Sequence, residues 1–197
     1  VVFASDNGDI RGKGTCYEGG TRMPLVVRWP GEVPAGATSD ALISNADVAP
    51  TLLDVAGVDP GPEYHVDGRS VRSLLTGDGD YDRSALYLEC FTERAVVTAD
   101  GFKYIAVRFP ETIRNRADAA ERISHRGDPL VFETGPWHAD VHYPGYFDAD
   151  QLYDLNRDPR ERENLADDPA YADRLAEMRD RLAAYSADLP DSFGEFA

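Results

Sequence analysis

Cysteine and lysine are both scarce in this 197-residue chain, with two of each. Cys16 and Cys90 are too few for the disulfide framework of a small secreted domain. They read as free thiols, which leaves the redox compartment and the cellular location open. Lys13 and Lys103 are the two lysines, so arginine supplies nearly all of the positive charge. That charge is itself in deficit: 20 basic residues face 36 acids, for a formal net charge of -16. Such a balance excludes nucleic acid as a partner bound through its phosphates. No apolar run approaches the roughly 20 residues that cross a bilayer as a helix, so no membrane partner is expected. An initial methionine and a recognisable signal peptide are lacking as well. Val1-Val2-Phe3-Ala4 has the composition of a strand interior, and the expectation is a chain that has lost its beginning.

What is present fits a water-soluble globular protein. The apolar fraction is 42%, and the length suffices for one domain with a sizeable core. The acids are mainly aspartate and run from end to end. Two readings stand side by side. One is adaptation to high salt, where dense carboxylates keep a surface hydrated. The other is an ordinary acidic protein from a GC-rich genome, in which arginine replaces lysine.

Periodicity divides the chain near residue 80. Residues 1–5 read as a fully buried strand, and residues 6–24 as a Gly-rich loop where backbone can approach a ligand closely. Leu25–Trp29 reads as a second strand, stopped by Pro30-Gly31. Asp47 is placed as the N-cap of a helix over 48–56 that ends at Gly57. A shorter helix follows over 69–75. Beyond residue 84 the period becomes that of strands: 85–91, then 95–98 and 102–107 joined as a hairpin through Asp100-Gly101. Residues 110–150 lack clear periodicity and read as a long loop or insertion, with a short helix near 114–123. A strand over 151–155 and a helix from Pro169 close the chain. Tyr171, Leu175, Met178, Leu182 and Tyr185 mark the apolar face of that helix. The expected organisation is 1–80 as the end of an α/β domain and 81–197 as a smaller α+β subdomain.

Chemistry concentrates at the start. Asp6 and Asn7 follow an apolar run and offer two hard oxygen donors, which suit calcium or magnesium. Asp-Asn-Gly is equally a good Asx-turn sequence, and spacing alone leaves both readings open. Lys13, between two glycines, suits an oxyanion bound beside such a cation. Its competitor is a surface lysine in a flexible loop. Cys16 is read as a small buried hydrophobe rather than a nucleophile. His138 and His142 have the i, i+4 spacing of a zinc pair, against the simpler reading of solvated loop histidines.

Four stretches, in order, carry a family resemblance. They are Ser5-Asp6-Asn7-Gly8 with 12–31 (GKGTCYEGGTRMPLVVRWPG); 45–58 (NADVAPTLLDVAGV); 67–71 (DGRSV); and 152–166 (LYDLNRDPRERENLA). Together they resemble the C-terminal portion of a type I, formylglycine-dependent sulfatase of the arylsulfatase family. The likeness fails over 110–150. It implies the C-terminal part of an alkaline-phosphatase-like α/β fold, with a small antiparallel sheet and a C-terminal helix. It implies that Asp6 and Asn7 bind a divalent cation, Ca2+ with Mg2+ as the alternative. It implies that Lys13 is the catalytic, substrate-binding lysine that grips the sulfate. The partner it implies is a sulfate-ester small molecule or a sulfated sugar.

In such enzymes a Cys/Ser-x-Pro-x-Arg motif matures to formylglycine, whose hydrate attacks sulfur. Cys16 is followed by Tyr17-Glu18 and Cys90 by Phe91-Thr92, so neither lies in that motif. The formylglycine, the remaining cation ligands and the catalytic histidines are expected in a missing N-terminal part, and the chain alone is expected to be inactive. Two other readings are kept: a phosphodiesterase or phosphonate hydrolase of the same superfamily, and a catalytically silent binding or assembly module. A strand without sheet neighbours exposes edges and apolar surface, so homo-oligomers are expected.

Overall fold

A computed structural model describes residues 1–9, 11–118 and 139–189. Its elements follow in the order β1 (Val2–Ala4), α1 (Glu18–Thr21), β2 (Leu25–Val27), α2 (Val48–Val55), α3 (Arg72–Thr76), β3 (Ala85–Cys90), β4 (Glu93–Thr98), β5 (Phe102–Val107), α4 (Glu111–Asp118), α5 (Ala139–His142), β6 (Asp150–Asp154) and α6 (Ala172–Ala187). The chain forms two compact units. One comprises Val1–Asp6 and Pro24–Leu86; the other comprises Asn7–Met23 and Tyr87–Ala197.

In the first unit β1 pairs with β2, with Val2 opposite Val27, Phe3 opposite Val26 and Ala4 opposite Leu25. The pairing is antiparallel, and the strand expected to be fully buried is exposed. Phe3 is 64% and Val26 58% exposed. Among the described residues these strands have no other sheet neighbour, so one face of the ribbon is left without cover. The other side looks onto the apolar residues Val48, Leu52, Val71 and Leu75 across a cleft of about 30 Å³.

Asp47 is the N-cap residue of α2, as expected, but its side chain makes no capping hydrogen bond to that helix. Ser44 is the cap of a short 3-10 turn, Asn45–Asp47, that leads into α2. Its hydroxyl accepts from Ala46 N, and Asp47 Oδ2 accepts from Ser44 N at 2.7 Å. This is the reciprocal capping-box arrangement. The Asp47 carboxylate is then free to take both guanidinium nitrogens of Arg83, at 2.6 and 2.7 Å, and the backbone N–H of Arg69 at 2.9 Å. Both side chains of the Asp47–Arg83 pair are buried. Helix α3 begins at Arg72, three residues later than expected, and stops at Gly77, whose φ of 76° is the left-handed cap that glycine supplies.

The second unit is built on a sheet of order β3-β4-β5-β6. Arg94 faces Ala106 and Val96 faces Tyr104 across one antiparallel pair; Tyr104 faces Leu152 and Ala106 faces Asp150 across the next. The β4–β5 hairpin turns at Asp100-Gly101, with Gly101 at φ 90°. Helix α6 packs on β4 and β5 and buries Met178, Leu182 and Ser186. Tyr185, expected on that face, is 41% exposed; its ring instead lies beside that of Tyr87, with centroids 5.8 Å apart. Cys16, Tyr17, Ala95, Ile105, Tyr146 and Tyr153 meet in one core cluster. The long segment 110–150 contains α4 and α5, and the rest of the helix expected at 114–123 lies outside the described residues.

Candidate functional site

The Gly-rich loop of the second unit is a fixed structure rather than a slack connection. Gly12 N donates to Asp9 O and Thr15 N to Gly12 O, each at 3.1 Å. The Thr15 hydroxyl also donates to Gly12 O, at 2.7 Å. Gly8 N donates to Gly20 O at 2.9 Å, bringing the two ends of the loop together. A Cβ on Gly20 would fall 2.2 Å from Gly12 O and 2.5 Å from Thr15 O. Backbone atoms cannot move aside as a side chain would, so only glycine fits there.

Past Thr15 the loop descends into the core and is held by charge. Cys16 N donates to Glu93 Oε2 at 2.6 Å, and Cys16 O accepts from Lys103 Nζ at 3.0 Å. Lys103 Nζ also lies 2.7 Å from Glu18 Oε1 and 3.0 Å from Glu161 Oε1. Glu18 N donates to Glu161 Oε2 at 2.6 Å. The side chains of Lys103 and Glu161 have no exposed surface. Burial alone would favour a neutral lysine, but the facing carboxylates Glu161 and Glu18 overcome it and raise the Lys103 pKa. A buried ammonium therefore sits beneath the loop, hydrogen-bonded to its backbone.

Aromatic side chains complete the anchor. The Tyr17 and Tyr143 rings stack with centroids 3.8 Å apart and planes 4° from parallel. Tyr17 Oη donates to Gln151 Oε1 at 2.6 Å, and Tyr153 Oη donates to the same oxygen at 2.9 Å. Each buried phenol thus has a polar partner, as burial requires.

Lys13 rides on this scaffold. It is exposed, sits three residues before the Cys16 anchor, and makes no ion pair among the described residues. Gly14 beside it has φ 80°, so the turn that presents Lys13 depends on glycine. Asp6 is exposed and Asn7 half-buried; the Asp6 carboxylate accepts a long 3.5 Å contact from the Ser5 hydroxyl. Among the described residues no group of three His, Cys, Asp or Glu is placed to hold a metal. Two hard oxygens suit part of a calcium shell but cannot complete one.

Cys16 is wholly buried and free. Burial pushes its thiol pKa up, which suits a core residue and not a nucleophile. His142 ends α5, whereas His138 lies outside the described residues.

Sequence reasoning missed Glu18, Glu93, Lys103, Gln151 and Glu161 as a connected set. One signal was available. In a chain with two lysines, one stands inside the apolar run Phe102-Lys103-Tyr104-Ile105-Ala106-Val107, where only a paired lysine is stable.

The family described as N-sulphoglucosamine sulphohydrolase, C-terminal, matches residues 10–111, just over half of the chain. Human arylsulfatase A is 32% identical over 84% of this chain and 33% of its own length. Human N-sulphoglucosamine sulphohydrolase is 31% identical over 97% of this chain and 42% of its own length. A solved structure of a protein in complex with its substrate D-glucosamine-2-N,6-O-disulfate superposes with a TM-score of 0.60 at 26% identity, covering 87% of this chain and 29% of that one. The chain therefore spans about a third of the length of the curated relatives it matches. Its fold is that of the C-terminal portion of alkaline-phosphatase-like sulfatases, and the chain belongs to the N-sulphoglucosamine sulphohydrolase C-terminal family.

Proposed function

We propose that the chain is the C-terminal portion of a sulfuric ester hydrolase, and that Lys13 binds the sulfate in its active site. The observation that carries this reading is the rigid Gly12–Gly20 loop, which fixes an exposed, unpaired ammonium group on a buried ionic anchor. A preset cation of this kind suits an oxyanion whose charge grows in the transition state. The named relatives are sulfatases, and one neighbour is complexed with a sulfated glucosamine. We extend that chemistry to this chain as hydrolysis of a sulfated sugar or an aryl sulfate.

Asp6 and Asn7, adjacent in the chain, are proposed as two ligands of a divalent cation, Ca2+ or Mg2+. When bound, that ion would draw charge from the sulfate oxygens. The nucleophile is assigned to a formylglycine in residues beyond this chain, since neither cysteine here has proline two places on. On this reading residues 1–80 end the catalytic α/β domain and 81–197 form the smaller subdomain. The chain by itself is inactive and self-associates through the uncovered β1–β2 ribbon.

The test is to join the chain to an upstream sulfatase portion, mature it, and assay an aryl sulfate against a phosphate diester and a phosphonate. Sulfate release that falls at least a hundredfold in Lys13→Ala supports the reading. Preference for the phosphorus esters would place the chain with the phosphonate hydrolases. Full matured length with no turnover of any ester would leave only a silent module.

A further inference from the structure

Of the five asparagines, Asn7 alone is followed by glycine; the others precede Ala46, Arg116, Arg157 and Leu165. An asparagine carboxamide is open to attack by the peptide nitrogen of the next residue, and a side chain on that residue obstructs the approach. Glycine has none. The Asn7-Gly8 step is therefore where the backbone of this chain closes most readily on a side chain.

The fold itself demands that glycine. A Cβ on Gly8 would fall 2.3 Å from Gly19 O and 3.1 Å from Arg22 O, and both are backbone oxygens that cannot swing aside. Packing of the two ends of the loop thus imposes the reactive dipeptide, and the same packing restrains it. Gly8 N, the atom that would attack, donates to Gly20 O at 2.9 Å. That bond keeps the proton on the nitrogen and fixes the peptide plane, whereas attack needs the proton lost and the plane free to turn. The acceptor is itself tied down, since Gly20 N donates to Tyr17 O at 2.8 Å and Tyr17 is wholly buried. Asn7 is half-buried, and its carboxamide makes no hydrogen bond among the described residues. The restraint therefore lies on the nitrogen and not on the carbon it would reach. All of these residues lie in the second unit.

We propose that Asn7 is a deamidation site whose rate is set by opening of the Gly-rich loop. In the opened loop Gly8 N gives its proton to solvent base and bonds to Asn7 Cγ. The Cγ–Nδ2 bond breaks, and Nδ2 takes a proton from solvent and leaves as ammonia. Water then opens the succinimide ring at either carbonyl, giving aspartate or isoaspartate at position 7. Water is the sole co-reactant. Isoaspartate inserts an extra carbon into the main chain, so Gly8 N no longer meets Gly20 O in register and the loop does not reclose as before. Either product puts a carboxylate where an amide stood. The inference stands apart from the roles proposed for Asp6, Asn7 and Lys13.

The test is incubation of the 197-residue chain at mildly alkaline pH, native and in urea, followed by proteolysis and mass spectrometry that separates aspartate from isoaspartate. In urea Asn7 is expected to convert at least tenfold faster than any other asparagine. In the native chain its conversion is expected to be at least tenfold slower than in urea, because only the opened fraction reacts. Gly20→Ala places a Cβ 2.2 Å from Gly12 O and is expected to raise the native rate at least fivefold. Where that variant fails to fold, Thr15→Ala, which removes the hydroxyl bond to Gly12 O, decides in the same direction. Hydrogen exchange at the Gly8 amide, read by NMR on fresh protein, is expected to be slow in the parent and faster in the variant. Equal conversion in the native and unfolded chains overturns the restraint. A faster asparagine elsewhere in urea overturns the site. A variant that exchanges the Gly8 amide faster without converting Asn7 faster overturns the link between loop opening and reaction.

Discussion

Lys103 and Glu161 form an ion pair at 3.0 Å in which neither side chain retains any exposed surface. The pair joins β5 to the turn after β6, and through Cys16 O and Glu18 it reaches the Gly-rich loop as well. Removing one member leaves the other charged and dry. Lys103→Met is therefore expected to destabilise the chain by about 3–5 kcal/mol, the usual cost of breaking a buried pair from one side. Urea denaturation read by circular dichroism measures it; a loss below about 1 kcal/mol would mean the carboxylates find water when the lysine goes.

Lys13 is the counterpart. It is exposed and three residues from that anchor, so Lys13→Ala is expected to change stability by no more than about 0.5 kcal/mol. The same urea curves decide. A larger loss would show that Lys13 supports the loop, and would weaken its assignment as a group held ready for substrate.

Asp47 gives the pH dependence. Burial raises its pKa, but the Arg83 guanidinium and the Ser44 and Arg69 N–H groups outweigh burial, and the net direction is down. A carboxyl with a lowered native pKa stabilises the fold above its unfolded value, about 3.9. That contribution is lost as pH falls through the native value. Melting temperature is expected to drop on acidification below about pH 4, and Asp47→Asn to be less stable already at pH 7, by about 3–5 kcal/mol. Thermal melts from pH 3 to pH 7 check both. A variant as stable as the parent at neutral pH would contradict the pair's importance.

The antiparallel half of the fold was legible because its signals are local. Asp100-Gly101 between two β-branched and aromatic runs dictates a hairpin, and a 3.6-residue period fixes α6 to within its first turn. Asp47 stands at the N-cap position of α2 as the sequence indicated, but its side chain makes no cap hydrogen bond there: it closes the box on Ser44 and pairs with Arg83, a partner 36 residues away that local sequence does not reveal. The β1 burial was misjudged because an apolar run does not say how many neighbours a strand has: β1 pairs with β2 alone among the described residues, and Phe3 stays 64% exposed. At the site, Lys13 stood out through its flanking glycines. The Lys103–Glu18–Glu161 set did not, because its members are 85 and 58 residues apart along the chain and only tertiary contact unites them.

Phe3 and Val26 face each other across β1 and β2, and both are more than half exposed. A two-stranded ribbon is marginal in water by itself, and apolar pairs on its open face favour contact with another copy. The chain is expected to sediment as a concentration-dependent mixture. Phe3→Lys with Val26→Glu places opposite charges at one cross-strand pair, which retains the pairing of the ribbon by about 0.2–1 kcal/mol while removing its apolar surface. That double variant is expected to be monomeric with unchanged helix content. Sedimentation velocity across a fiftyfold concentration range distinguishes the outcomes. A monomeric parent chain at every concentration would show that the ribbon stays solvated without a partner, and self-association through it would be abandoned.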